Sequence, residues 1–456
     1  MYSDLRYLLV ELPEDIAKLK TAGYFERAGR VIDKRLQKQL PLALRKRLEI
    51  EKEILARIPL YYPYSYERAF SLLSASFRDF GPEEMETLWE EDALDWIFVK
   101  GWPFFKDDIV ANLVKTRKDL ADRVTDPSLL TDREGNFSLL DETIAKMKRK
   151  GTLAYRIRIR TAVTVMPESV EEGKTLRVHL PIPVEYAQVS GFKLLDAGPE
   201  PKFVAAPDYP QRTVYFEERA QPGQEFFVEY EYVSRMTYVE ARPEAVADAQ
   251  PTFYTEEQLP HVVFTPYIRD LAAELAGDEK NPLLRARRVY DFLTTRFMYS
   301  FVRPYLTIPA ITTYAVTGLK GDCGIQALAF ITLCRALGVP ARWQAGLYVN
   351  PRYIGGHDWA QFYVAPYGWL YADCSFGGAA WRAGAEERWN FYFGNLEPFR
   401  MPANSDFQFD FDPARKFRRC DPYDNQNGEV EYEHRGLGPE EYSTVHKVAG
   451  IEELSD

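Results

Sequence analysis

GLKGDCGIQALAFITLCRALGVPAR, residues 318–342, is the stretch from which the rest of the chain is best understood. Gly318, Gly321 and Gly324 bracket Asp322 and Cys323, and an unbroken helix former, IQALAFITLCRAL, follows. Gly338 stands at a C-cap position and Pro340 stops the helix. The pattern predicts a helix with Cys323 at or just before its N-terminus. A helix start presents unpaired N–H groups and a partial positive charge, which favour an anion. A thiolate is an anion, so this position is expected to lower the cysteine pKa and make it nucleophilic, with the nearby N–H groups as an oxyanion hole. Cys334 lies inside the apolar part of the same helix and reads as core. Cys374 and Cys420 complete the set of four.

A thiol nucleophile needs a base, and GGHDWAQFYVAPYGWLYADCSFGG (355–378) supplies a candidate. HDWAQFYV alternates as a strand does. His357, Trp359, Gln361 and Tyr363 share one face; Asp358, Ala360, Phe362 and Val364 share the other. APYG reads as a turn, and WLYADC as a second strand ending near Asp373. The hairpin brings His357 and Asp373 into one small sheet. A symmetric four-residue turn at 365–368 would pair His357 with Phe376, three residues past Asp373, so a bulge, a lean along the strand or a different turn is required. In this division of labour Cys323 attacks an acyl carbon, His357 takes its proton, and Asp373 orients the imidazole.

Outward from this core the patterns change. Residues 1–150 show helical spacing over 14–37, 43–58, 66–77, 83–96, 107–121 and 139–148, with Pro-rich breaks such as 59–63. Nothing chemical stands out there. Period-two alternation over 155–165, 175–184, 212–216 and 225–240 predicts an antiparallel sandwich, in which His179 is a strand residue and not a ligand. Helical spacing returns near Pro251, with Pro282 at a helix start. The expected division is 1–150 helical, 151–245 β-sandwich, and 246–456 the catalytic unit with an irregular extension.

Composition narrows the function. The 456 residues carry a net charge of −11, with 46% hydrophobic and 27% charged residues. An acidic chain without a Lys/Arg stripe lacks the footprint of a nucleic-acid binder. No apolar run is long enough for a membrane span, and the first residues do not read as a signal peptide, so a soluble, cytoplasmic protein is expected. Four cysteines without a CxxC pair give neither a disulfide framework nor a zinc site, and neither a metal nor a cofactor is expected.

The blocks GDCGIQA, RALGVPAR (335–342), HDW (357–359), YGW (367–369) and the Asp of YADCS resemble, in order and spacing, the core of the transglutaminase-like superfamily, in its bacterial cysteine-protease branch. The resemblance covers about residues 255–380. It implies an α+β, papain-like fold: a helix bearing Cys323 packed on an antiparallel sheet bearing His357 and Asp373, here preceded by a β-sandwich and a helical N-terminal region. It also implies attack on an amide carbonyl to give a thioester, with water as acceptor and a peptide or protein amide as substrate. Transfer to an amine, as in crosslinking, and a catalytically idle binding or scaffolding member are the alternatives. Trp359, Trp369 and Tyr314 are candidate substrate-cleft residues. Two positions depart from the family pattern: Asp358 stands where a small residue is usual, and Cys374 where proline is.

Overall fold

The computed structural model describes residues 2–130 and 133–455. Apolar residues at three- and four-residue spacing form α1 (Glu14–Thr21), α2 (Phe25–Leu36), α3 (Leu42–Arg57), α4 (Tyr66–Ser76), α5 (Pro82–Glu90), α6 (Ile109–Thr116), α7 (Lys118–Ala121) and α8 (Arg133–Lys150). Among them sits a small sheet that helical periodicity did not predict: β1 (Tyr64–Ser65), β2 (Trp96–Val99) and β3 (Trp102–Phe105), in the order β1-β3-β2. Its hairpin turns on Lys100 and Gly101, both at positive φ (52° and 86°). Such a two-residue turn matches the twist of the flanking strands.

The alternating stretches form β4 (Thr152–Val165), β5 (Thr175–Pro181), β6 (Val189–Gly198), β7 (Phe203–Val204), β8 (Thr213–Arg219) and β9 (Glu225–Thr237). β9 lies between β4 and β6 in one sheet, and β5 pairs with β8 in the other. Ile157 and Ile159 of β4, Val178 of β5, Phe216 of β8, and Val228 and Tyr230 of β9 meet in one buried cluster. The alternation places these residues inside and the charged ones outside.

The site is carried by the next unit. It comprises α9 (Pro266–Ala276), α10 (Pro282–Arg296), β10 (Met298–Tyr299), α11 (Ile311–Gly318), β11 (Lys320–Gly321), α12 (Cys323–Ala336), β12 (Ala341–Val349), β13 (Ile354–Val364), β14 (Gly368–Ala372), α13 (Cys374–Arg382), α14 (Glu386–Phe391), β15 (Phe393–Gly394) and β16 (Arg400–Asn404). The five longer-range strands form an antiparallel sheet in the order β15-β14-β13-β12-β16. α12 is buried nearly all round. It packs on β13 through Phe330 and Phe362, whose rings lie 5.7 Å apart. Gly338 takes φ +76° just past the helix, as its position predicted.

The chain then returns to the sandwich. β17 (Glu429–Tyr432) pairs with β5, and β18 (Tyr442–Glu453) pairs with β4 along its length. The expected extension of a catalytic unit to residue 456 is therefore amended: the last strands complete the two sandwich sheets. They read as irregular in sequence because β17 follows Asp424, Asn425, Asn427 and Gly428 and β18 follows Gly436, Gly438 and Pro439, while their partners lie more than two hundred residues upstream. Among the described residues no helix is long and apolar enough to cross a membrane.

Candidate active site

Cys323 is the first residue of α12, and its side chain is partly exposed. Asp322 caps the helix by accepting from the Ile325 N–H at 3.0 Å, and Tyr305 donates its hydroxyl to the same carboxylate at 2.5 Å. Gln326 donates its amide to the Gly321 carbonyl at 2.9 Å, and Tyr299 pairs with Gly321, so the loop before the thiol is held from both sides. Gly324 is required here. A Cβ on it would lie 2.3 Å from the Tyr305 hydroxyl and 2.7 Å from an Asp358 carboxylate oxygen.

The thiol donates to Asp358 Oδ2 at 3.4 Å. The other oxygen of Asp358 accepts from Gln426 Nε2 at 2.7 Å, and its carboxyl group meets that of Asp424. Burial first, then the charges of Asp358 and Asp322, push the Cys323 thiol well above its usual range. Burial and Asp322 likewise raise Asp358, and burial with Asp421 and Asp358 raises Asp424. The expected lowering of the thiol pKa by the helix start is thus corrected: two neighbouring carboxyl groups and burial outweigh the helix end. A carboxylate near a thiol disfavours a second negative charge.

His357 and Asp373 form the predicted pair, with Nε2 of His357 and Oδ2 of Asp373 at 2.7 Å. The register explains how. Val364 pairs with Gly368 and Ala360 with Ala372, so the turn holds three residues, not four. β14 ends at Ala372, and Asp373 becomes the N-cap of α13, accepting from the Phe376 N–H at 3.0 Å and from the Ser375 hydroxyl at 3.1 Å. Continued by one step, the ladder would set Asp373 opposite Trp359, diagonal to His357, which is within side-chain reach. Arg400 donates to the same Oδ2 at 2.9 Å. Although burial alone would raise Asp373, His357 and Arg400 hold it at about 2. Burial lowers His357 and Arg400 adds to the lowering, while Asp373 opposes both. With Nε2 committed to Asp373, a neutral imidazole keeps Nδ1 as its acceptor.

The described side chains of Cys323 and His357 share no hydrogen bond; the thiol is bound to Asp358 and the imidazole to Asp373. Adjacent strand residues project from opposite faces, which separates Asp358 from His357. Trp359 is fully buried, stacks on His357 with centroids 5.8 Å apart, and donates to Gln344 Oε1. It supports the imidazole and does not wall a cleft. Trp369 lies beside Tyr363, six residues along β13 from His357 and so about 20 Å away. Arg342 covers its ring at 3.9 Å, so it too is removed from the cleft. Tyr314 lines a cavity of about 270 Å³ with Lys320, Arg303, Asp92, Asp95 and Trp96, at the junction with the helical region. In RALGVPAR, Arg335 donates to the carbonyls of Ala341 and Glu256, and Arg342 to Gln361 Oε1, which makes the motif scaffold.

Sequence reasoning missed Arg400, Glu397, Asp424 and Gln426. They reach the site from segments whose distance in sequence carries no local signal. Asp358 was visible only as a departure from a family pattern. Among the described residues no cluster of His, Cys, Asp and Glu is arranged to hold a metal ion.

Residues 269–374 match the sequence model of the transglutaminase-like superfamily. No curated protein sequence matches the chain. Similar solved structures include a "Putative Cysteine Protease" from Cytophaga hutchinsonii, 14% identical, covering 67% of this chain and 92% of that one with a TM-score of 0.40. The periplasmic domain of TgpA from Pseudomonas aeruginosa is 18% identical and covers 54% of this chain and 94% of that one, with a TM-score of 0.29. The matched segment holds Cys323, His357 and Asp373 together with the helix and hairpin that carry them, so the likeness to the transglutaminase-like superfamily falls on the candidate site itself.

Proposed function

We propose that the protein is a thiol-dependent acyl-transfer enzyme that hydrolyses a peptide or other amide bond through a thioester on Cys323. The observation that carries this is the buried His357–Asp373 pair at 2.7 Å, inside the same superfamily core as a partly exposed cysteine at a helix start. In the reaction the Sγ–H proton passes to Nδ1 of His357 as sulfur attacks the carbonyl carbon. The imidazolium returns that proton to the leaving amine, and water then cleaves the thioester with His357 again as base. Asp373 keeps Nε2 occupied and so fixes the tautomer. Asp322 uses the Ile325 N–H, which leaves the N–H groups of Cys323 and Gly324 as the oxyanion donors. The reaction requires Sγ to leave Asp358 and turn toward the imidazole. Rotation about the Cα–Cβ bond between staggered wells is the motion that does this.

One observation favours a second reading. A thiol held by Asp358 and pushed to a high pKa is what a catalytically idle binding protein would tolerate. Alkylation with iodoacetamide, an amide-bearing thiol reagent, across pH separates the two. The enzyme reading expects Cys323 to react faster than Cys420 near neutral pH and to lose that advantage in His357→Ala, with Cys323→Ala as the control. Equal rates for the two thiols, unmoved by His357→Ala, would establish the idle reading.

A further inference from the structure

Arg400 and Glu397 lie beyond the segment that matches the superfamily, yet they sit against its His–Asp pair. Both are fully buried. Arg400 opens β16 opposite Tyr348 of β12, which fixes its backbone. Its guanidinium packs against Phe376, Tyr348 and Trp359 at 4.6, 5.1 and 5.3 Å from the ring centroids. These three rings also surround His357. Nη1 donates to Asp373 Oδ2 at 2.9 Å and Nε to Glu397 Oε1 at 2.8 Å. Among the described residues Nη2 of Arg400 and Oε2 of Glu397 find no partner.

A buried set of ions is a poor device for stability. Each ion loses several kcal/mol of hydration, and apolar side chains of the same volume often serve as well. The arrangement does change the chemistry of the pair beside it. In a simple His–Asp pair the carboxylate stabilises the imidazolium. Here two donors share one carboxylate oxygen, and one of them is a permanent cation. That cation offsets the carboxylate charge and repels a second cation at His357. The imidazole then rests neutral, with Nδ1 able to accept a proton. A neutral imidazole also agrees with a thiol that rests protonated on Asp358.

We propose that Arg400, held by Glu397, is a positioning residue that keeps the His357–Asp373 pair in its neutral, base-competent form. This rests on the reading of His357 as the base. The charged and titratable groups around Arg400 are Asp373, Glu397, Tyr348 and Tyr392. Those around His357 are Asp373, Arg400 and, from α6, Lys115, which acts in the same direction as Arg400.

The test reads His357 ionisation directly, by NMR of histidine-labelled full-length protein in a Cys323→Ala background, with His357→Gln assigning the signal. Arg400→Gln is expected to raise the His357 pKa by about one pH unit, the size of a neighbouring-charge effect. Arg400→Lys is expected to restore most of the original value. Glu397→Gln, which removes the charge offsetting the guanidinium, is expected to move the pKa down. In the enzyme with Cys323 intact, the acidic limb of kcat/KM for amide hydrolysis should follow the same three directions. An unchanged His357 pKa in folded Arg400→Gln and in Glu397→Gln, whatever happens to Tm, overturns the proposal. If Arg400→Gln does not fold, the opposite-signed shift of Glu397→Gln decides. Wild-type protein that hydrolyses no amide, while the His357 shifts occur as stated, would remove the enzyme reading and leave the electrostatic one standing.

Discussion

Asp358 is the residue at which this site departs most from what its sequence suggested. A helix-start cysteine is expected to be acidic, yet this one donates to a carboxylate at 3.4 Å. The carboxyl group of Asp358 itself meets Asp424 and accepts from Gln426. Removing its charge should therefore lower the thiol pKa and quicken the thiol. Asp358→Asn keeps the side-chain shape and the Oδ1 acceptor for Gln426. We expect the alkylation midpoint of Cys323 to fall by about one pH unit or more. The pH dependence of iodoacetamide modification at Cys323, compared between wild type and variant, checks this. A midpoint that rises or stays fixed would mean the carboxylate does not hold the thiol proton. Cys323, His357 and Asp373 were legible because each sits at a position that local pattern fixes: a helix start, one parity of a strand, a strand end. Asp424, Gln426 and Arg400 were not, because only the closed fold brings them near.

At the scale of elements, α12 was legible from end to end. Asp322 and Gly338 mark its limits, and both do what their types permit: one accepts an N–H, the other takes φ +76°. Beyond the helix, Arg335 ties the last turn to the carbonyl of Ala341, where β12 begins. An alanine at 338 would have to adopt a left-handed backbone that disfavours a Cβ. No atom crowds that Cβ, so the strain is purely conformational. Gly338→Ala should therefore cost about 1 kcal/mol. Urea unfolding measures it; no change in midpoint would show that the C-cap can relax. The hairpin was legible in its strands but not in its register, because a three-residue turn and a four-residue turn read alike in APYG. The small β1-β3-β2 sheet was lost for a related reason: Trp96, Phe98, Trp102 and Phe104 form strands too short to outvote the helices around them.

At the scale of the whole molecule, the chain closes on itself. β17 and β18 join the sandwich laid down near residue 160, and the segment before them crosses the active site. Gln211 donates to the Tyr423 carbonyl at 2.8 Å, Asn425 donates to the Arg212 carbonyl at 2.9 Å, and Gln426 reaches Asp358. The sandwich thereby presses a second set of carboxyl groups against the first, a contact between residues 358 and 424 that no local pattern could announce. This closure has a consequence for stability. Burial raises Asp421 to about 6, and Asp424 and Asp358 move in the same direction. A carboxyl group whose folded pKa exceeds its unfolded value binds its proton more tightly in the folded state. Its contribution is full below the unfolded value near 4 and is lost as pH rises through the folded one. Asp373, held at about 2, has the opposite sign and contributes above pH 4, losing its effect only as pH falls toward 2. Stability should therefore decline between pH 4 and pH 7. Asp421→Asn removes one ionisation while keeping an oxygen that can accept from the Tyr423 N–H, now at 2.8 Å. Relative to wild type, we expect this variant to gain on the order of 2 kcal/mol between pH 4 and pH 7. Urea unfolding of both proteins at pH 4, 5, 6 and 7 measures the difference. Two curves that run parallel across this range would show that Asp421 is not protonated by folding, and that the C-terminal segment lies on the site without straining it.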